Sequence, residues 1–173
     1  MLTVFEVRPD PGYDFLRIAP HDWEEWHSQI IALEQAIRGI PLKSRWNEQW
    51  NFVVNEEEWE HAEHPKGLGD FAHLLTFIAA TNEKAFELLS SLLGEAAEVL
   101  NGNFEGRSIW FFNVIRQVNR RDVAELEDGA VFRINPLRLR TLCGRAFKEV
   151  LESSGLKGLA FRKVDPNDRY GLV

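Results

Sequence analysis

Cysteine is almost absent from this chain. The single Cys143 excludes an intrachain disulfide, so packing has to supply the stability. It stands just before a predicted helix, where a thiol pKa can fall. No histidine lies near it in sequence, and a small core residue is its expected role. Long apolar runs are missing too: no window approaches the roughly 18 apolar residues of a membrane span. The opening Met-Leu-Thr-Val-Phe-Glu has no basic stretch leading into such a run, so no signal peptide is expected and cytoplasmic residence follows. Cations are in deficit, 20 Lys+Arg against 27 Asp+Glu, for a formal net charge of -7. A nucleic-acid binder needs cations to displace counterions from phosphates, so that class is disfavoured and a basic protein partner fits better. Catalytic signatures are missing as well. There is no Gly-x-Ser-x-Gly, no Walker loop and no dinucleotide fingerprint, and Gly67-Leu68-Gly69 lacks a phosphate loop's spacing and preceding strand.

What is present is apolar and aromatic. The 173 residues are 45% hydrophobic and 12% aromatic, enough to bury a sizeable core. Six tryptophans, most of them in the first third, bring large apolar faces and N–H groups that need partners.

In chain order, Leu2 to Arg8 predicts a strand, Asp10-Pro11-Gly12 a turn, and Phe15 to Ile18 the second strand of a hairpin. Asp22 and Glu25 have capping-box spacing, and Trp26, Ile30, Leu33 and Ile37 recur as the apolar stripe of a helix over 23–38. Trp50 to Val54 alternates as a strand. Leu74 to Ala80 predicts one strand covered on both faces. Thr81 or Asn82 caps a helix that Gly94 ends in the left-handed region. Ala97 to Leu100 predicts a short strand, with Asn101-Gly102-Asn103 as a hairpin turn into the aromatic strand Ile109 to Ile115. Val131 to Asn135 predicts a strand, 144–153 a helix stopped by Gly155, and Leu156 to Val164 the last strand. Strand–helix–strand around Ala85-Phe86 is echoed around Ala146-Phe147, as recurrent architecture and not as a repeat protein.

The pattern predicts an α+β fold, a mostly antiparallel or mixed sheet packed by two or three helices. Residues 1–66 form a Trp-rich, acidic strand–helix–strand part, 67–164 an α+β core, and 165–173 a polar tail, all within one continuous domain.

Candidate site residues cluster early. Asp22, Trp23, Glu24 and Glu25, and then Glu56, Glu57, Glu58, Trp59 and Glu60, interleave carboxylates with indoles. Paired carboxylates beside aromatic platforms suit glycan chemistry, but nothing in their spacing sets two at a glycosidase separation. A partner surface asks for no catalytic geometry: Trp anchors interfaces and acidic groups steer basic proteins. Core packing is the competing role of each indole. His61 and His64, spaced i, i+3 beside Glu57 and Glu60, offer two imidazoles to a metal, yet zinc needs three or four ligands and a solvated loop is expected there.

Gly69-Asp70-Phe71, a strand, and then Asn82-Glu83-Lys84-Ala85 opening a helix resemble the bacterial immunity proteins of polymorphic toxin systems, in the group numbered eleven. The run Trp110 to Val118 looks like that family's central strand, Val131 to Ile134 like its late strand, and Gly155 to Phe161 like its Gly-Leu-x-Gly-x-x-Phe ending. The likeness covers about the last two thirds of the chain. It implies a non-enzymatic protein that neutralises a cognate toxin by binding it, with no catalytic residues, no cofactor and no metal. The acidic balance fits a basic toxin. A glycan enzyme and a structural homodimer are the alternatives.

Overall fold

In the computed structural model, residues 2–19, 23–54, 67–135 and 140–166 are described, with the side chain of Trp23 outside that description. The elements run β1 (Val4–Pro9), β2 (Leu16–Ile18), α1 (Trp23–Ile37), β3 (Asn51–Val54), β4 (Phe71–Leu74), β5 (Phe77–Ala80), α2 (Glu83–Leu93), β6 (Ala97–Phe104) and β7 (Arg107–Val114). They continue with β8 (Gln117–Asn119), β9 (Val131–Asn135), β10 (Leu142–Cys143), α3 (Arg145–Ser153) and β11 (Leu159–Val164). The fold is α+β, as its pattern predicts, with the strands in two mixed sheets ordered β11-β1-β10-β9-β8 and β2-β3-β6-β7-β5-β4.

Three apolar clusters hold these layers. The central one joins β1, β9 and β10 of the first sheet to β4, β5 and β7 of the second, with α2 and α3. A second fills the other face of the six-stranded sheet under α1, and uses residues on both sides of position 66. The third lies on the outer face of the first sheet, closed by the short helical turn Arg120–Glu125. Every residue of β4 and β5 is buried, so both faces are covered as the apolar run demands.

That run is nevertheless two strands. Leu74 pairs with Phe77, and Leu75-Thr76 makes a two-residue turn between them. Leu75 has φ 53° and Thr76 a negative φ, the pattern of a type II′ turn, whose first central position ordinarily takes glycine. Conversely, Asn101-Gly102-Asn103 is not a turn but the middle of an eight-residue β6. Gly102 is needed there because a Cβ would sit 2.5 Å from Phe52 Cε2 and 2.8 Å from Phe111 Cε2. The turn falls at Glu105-Gly106, both at positive φ as type I′ requires.

The predicted first hairpin also divides. Asp10-Pro11-Gly12 does turn the chain, with Tyr13 N–H donating to Asp10 O at 3.1 Å. But β1 is paired on both sides by β10 and β11, so β2 leaves for the other sheet and pairs β3. Asn82 caps α2, its side chain accepting from Ala85 N–H at 3.0 Å, while Gly94 has positive φ but ψ -127°, outside the left-handed helical well.

The sequence echo has a topological counterpart. β5 and β6 both pair antiparallel to β7, and β10 and β11 both pair antiparallel to β1. Each helix therefore joins two parallel strands that flank a third, a split β-α-β unit. Three of the segments carrying the family resemblance, at Gly69–Phe71, Asn82–Ala85 and Gly155–Phe161, meet at the joint between the sheets. Asp70 accepts from Asn82 Nδ2 at 2.8 Å and from Lys157 N–H at 2.9 Å, and a side chain on Gly158 would strike the Phe71 carbonyl. Those motifs are architectural.

Candidate functional site

Helix α1 lies against the six-stranded sheet through small or polar residues. Gln29, Ala32 and Ala36 are its buried line, and Ala32 and Ala36 belong to the core cluster. The predicted stripe of Trp26, Ile30, Leu33 and Ile37 is rotated to one side: Trp26 is 40% exposed and Ile30, Leu33 and Ile37 are half-buried. Small side chains let the helix approach closely, which turns the large ones toward its flank.

That flank is a groove of about 390 Å³ between α1, β2 and the β4–β5 turn, lined by Trp26, Gln29, Ile30, Leu33 and Leu75 among others. Leu75 is 60% exposed. Gln29 is buried beneath the groove, and its Nε2 has no hydrogen-bond partner. On the opposite flank of α1, Glu24, Glu25 and Ser28 line a depression of about 560 Å³ with Arg45, Asn47 and Gln49. Of the expected partner surface, Glu24 and Glu25 thus stand across α1 from Trp26, in a depression that Trp50 also lines. Asp22, Glu56, Glu57, Glu58, Trp59 and Glu60, and the His61/His64 pair, lie outside the described residues, as does the Trp23 side chain. Among the described residues no three His, Cys, Asp or Glu groups are gathered for a metal.

The C-terminal end of α1 is built differently. Arg133, fully buried on β9, donates through Nη1 to Ala36 O and through Nη2 to Asn113 Oδ1 at 3.3 Å and Thr76 O at 3.4 Å. Burial lowers its pKa to about 10, still far above neutral, so the charge sits at the negative end of the helix dipole. Asn113 Nδ2 donates to Ile40 O at 3.0 Å and to Glu98 Oε1 at 2.8 Å. Glu98 in turn accepts from the N–H groups of Leu42 and Lys43. Gln117 Nε2 reaches Gly39 O at 3.1 Å. This network fastens the loop after α1.

The remaining titratable groups of note are sealed. Cys143 is fully buried, and burial drives its thiol pKa well above the ordinary range, which suits the core role expected of it. His73 on β4 is buried, and desolvation lowers its pKa to about 4. Three arginines surround the buried Glu6: Arg162 Nη2 at 2.7 Å, Arg140 Nε at 3.2 Å and Arg8 Nε at 4.0 Å.

Sequence reasoning missed Leu75 and Gln29. A leucine in a turn gives no turn signal, and Gln29 looks polar and therefore exposed. No protein-family model matches the chain, and no curated protein matches it in sequence. No helix among the described residues is long and apolar enough to cross a membrane.

Proposed function

We propose that this chain is an immunity protein that neutralises a cognate bacterial toxin by binding it, with no chemistry of its own. The observation that carries this reading is Leu75. A large apolar residue stands at positive φ in a position suited to glycine, and it is 60% exposed beside a 40% exposed Trp26. Both features oppose folding stability, and strained, exposed apolar groups mark sites kept for contact. The acidic flank at Glu24 and Glu25 supplies steering toward a basic partner, in keeping with the net charge of -7. The family resemblance points the same way, although its motifs lie at the joint between the sheets and not at this surface.

The test is co-expression with the product of the adjacent gene. Rescue of growth and co-purification of the two proteins are the expected results. No rescue and no complex refute the reading.

A further inference from the structure

We infer that the groove beside α1 is a binding site for a small apolar carboxylate, with Arg17 holding the anion and Trp26, Ile30 and Leu75 seating the apolar body. This goes beyond the immunity reading and does not depend on it.

The curl of the sheet makes the groove. β2 and β4 stand at opposite ends of the six-stranded order, yet they approach within 8 Å Cα–Cα without pairing. All six strands send side chains into the cluster that the curled sheet encloses. The groove opens where these two edges meet beside α1, and β4 already occupies that side of β2, so a further strand has no place there. What remains is a recess of about 390 Å³, the size of a site for a small molecule.

The lining fixes the chemistry of the occupant. Its walls are apolar, with Trp26, Ile30, Leu33 and Leu75 among them. Arg17, itself exposed, is the only charged side chain among the described lining residues, and it makes no ion pair with any of the described residues. A lone cation facing apolar walls favours an anion with an apolar body. One cation matches the single charge of a carboxylate, whereas a phosphate dianion would find no second cation in the lining. Gln29 adds a second polar point. It is 2% exposed and lines the groove, and its Nε2 has no hydrogen-bond partner. The last torsion of a glutamine is soft, so the carboxamide turns a donor toward an oxygen that enters the groove. A hydrocarbon would leave Arg17 and Gln29 unmet, and a purely hydrophilic anion would leave the walls in water.

The probe is octanoate, kept below the concentration at which it forms micelles, titrated into the isotopically labelled full chain and followed by NMR. Saturable shifts are expected at the Trp26 indole N–H, the Gln29 carboxamide and the Leu75 methyls, with the rest of the spectrum unmoved. The neutral isostere octanamide should bind about fivefold more weakly, because it forfeits a charge-assisted hydrogen bond to an exposed cation. Arg17→Gln should erase that difference and leave the affinity for octanamide as it was, which a merely structural role of Arg17 would not do. Leu75→Ser should weaken both ligands about threefold or more while the remaining spectrum stays native. Scattered or non-saturating shifts, equal binding of acid and amide to the wild type, or a preference for the acid that survives Arg17→Gln overturn the proposal. So does a dimer of the free chain that Leu75→Ser dissociates, since the groove would then belong to a second copy. The titration uses the free chain. Its failure leaves the adjacent-gene test of immunity standing, and the absence of a toxin complex leaves the carboxylate site standing.

Discussion

The two halves of α1 make opposite use of polar groups. At the C-terminal end, the loop carbonyls of Ala36, Gly39 and Ile40 are each met by Arg133, Gln117 or Asn113, and Glu98 accepts from the loop N–H groups. At the N-terminal half, Gln29 keeps an unpartnered donor, and Trp26 and Leu75 keep apolar surface in water. A buried network so densely bonded fixes one arrangement of the chain. An unsatisfied one beside exposed apolar groups lowers stability and is retained where something else completes it. The contrast separates the end that holds the helix from the end that keeps an unpartnered donor and exposed apolar groups.

The largest effect should come from the fastened end. Arg133→Ala leaves the Ala36 and Thr76 carbonyls and the Asn113 oxygen without their donor. A loss of about 4 kcal/mol in denaturant unfolding is expected, and under about 1 kcal/mol would show that the network holds nothing.

His73 sharpens the comparison, because its Nε2 is as orphaned as the Gln29 amide but titrates. The unfolded chain protonates His73 near 6.5, while the folded chain keeps it neutral down to about 4. The unfolded state thus binds the extra proton between these values. The stability present above pH 6.5 should fall as pH drops toward 4, by up to about 3 kcal/mol. His73→Leu should flatten that limb in unfolding curves taken across the range; an unchanged slope would place the acid sensitivity elsewhere.

At the open end the sign reverses. Leu75→Gly relieves the positive φ and Gln29→Leu removes an orphaned donor, and each should raise stability by about 1 kcal/mol. Both should weaken the complex with the adjacent-gene product, read by calorimetry. Stabilisation with unaltered binding would make the open end an imperfection and nothing more. The smallest stability effect belongs to Glu24→Gln, within about 0.5 kcal/mol for an exposed side chain, although loss of its charge should slow association with the adjacent-gene product about twofold.

Elements announced by local chemistry were legible in the residues. The Asn82 cap, the strand at Ile109 to Ile115 and the helices stopped by Gly94 and Gly155 all appear where their patterns place them. The misses share one cause, which is that a distant neighbour overrides a local signal. Asn101-Gly102 is a strong turn pair, yet Phe52 and Phe111 require a bare Cα there, so the strand runs through. Leu75 carries no turn signal, yet β5 has to fold back onto β4 to reach β7. Of the expected partner surface, only Glu24 and Glu25 have described side chains, and they lie across α1 from Trp26.

Composition and periodicity alone determined that this chain buries a mixed α+β core without disulfides and carries an acidic surface, because burial, propensity and charge are properties of residues and their near neighbours. Which residues line the groove and which face of α1 is covered were decided only when the two sheets came together. Those facts depend on segments far apart in the chain competing for the same space, and no window of sequence contains both competitors.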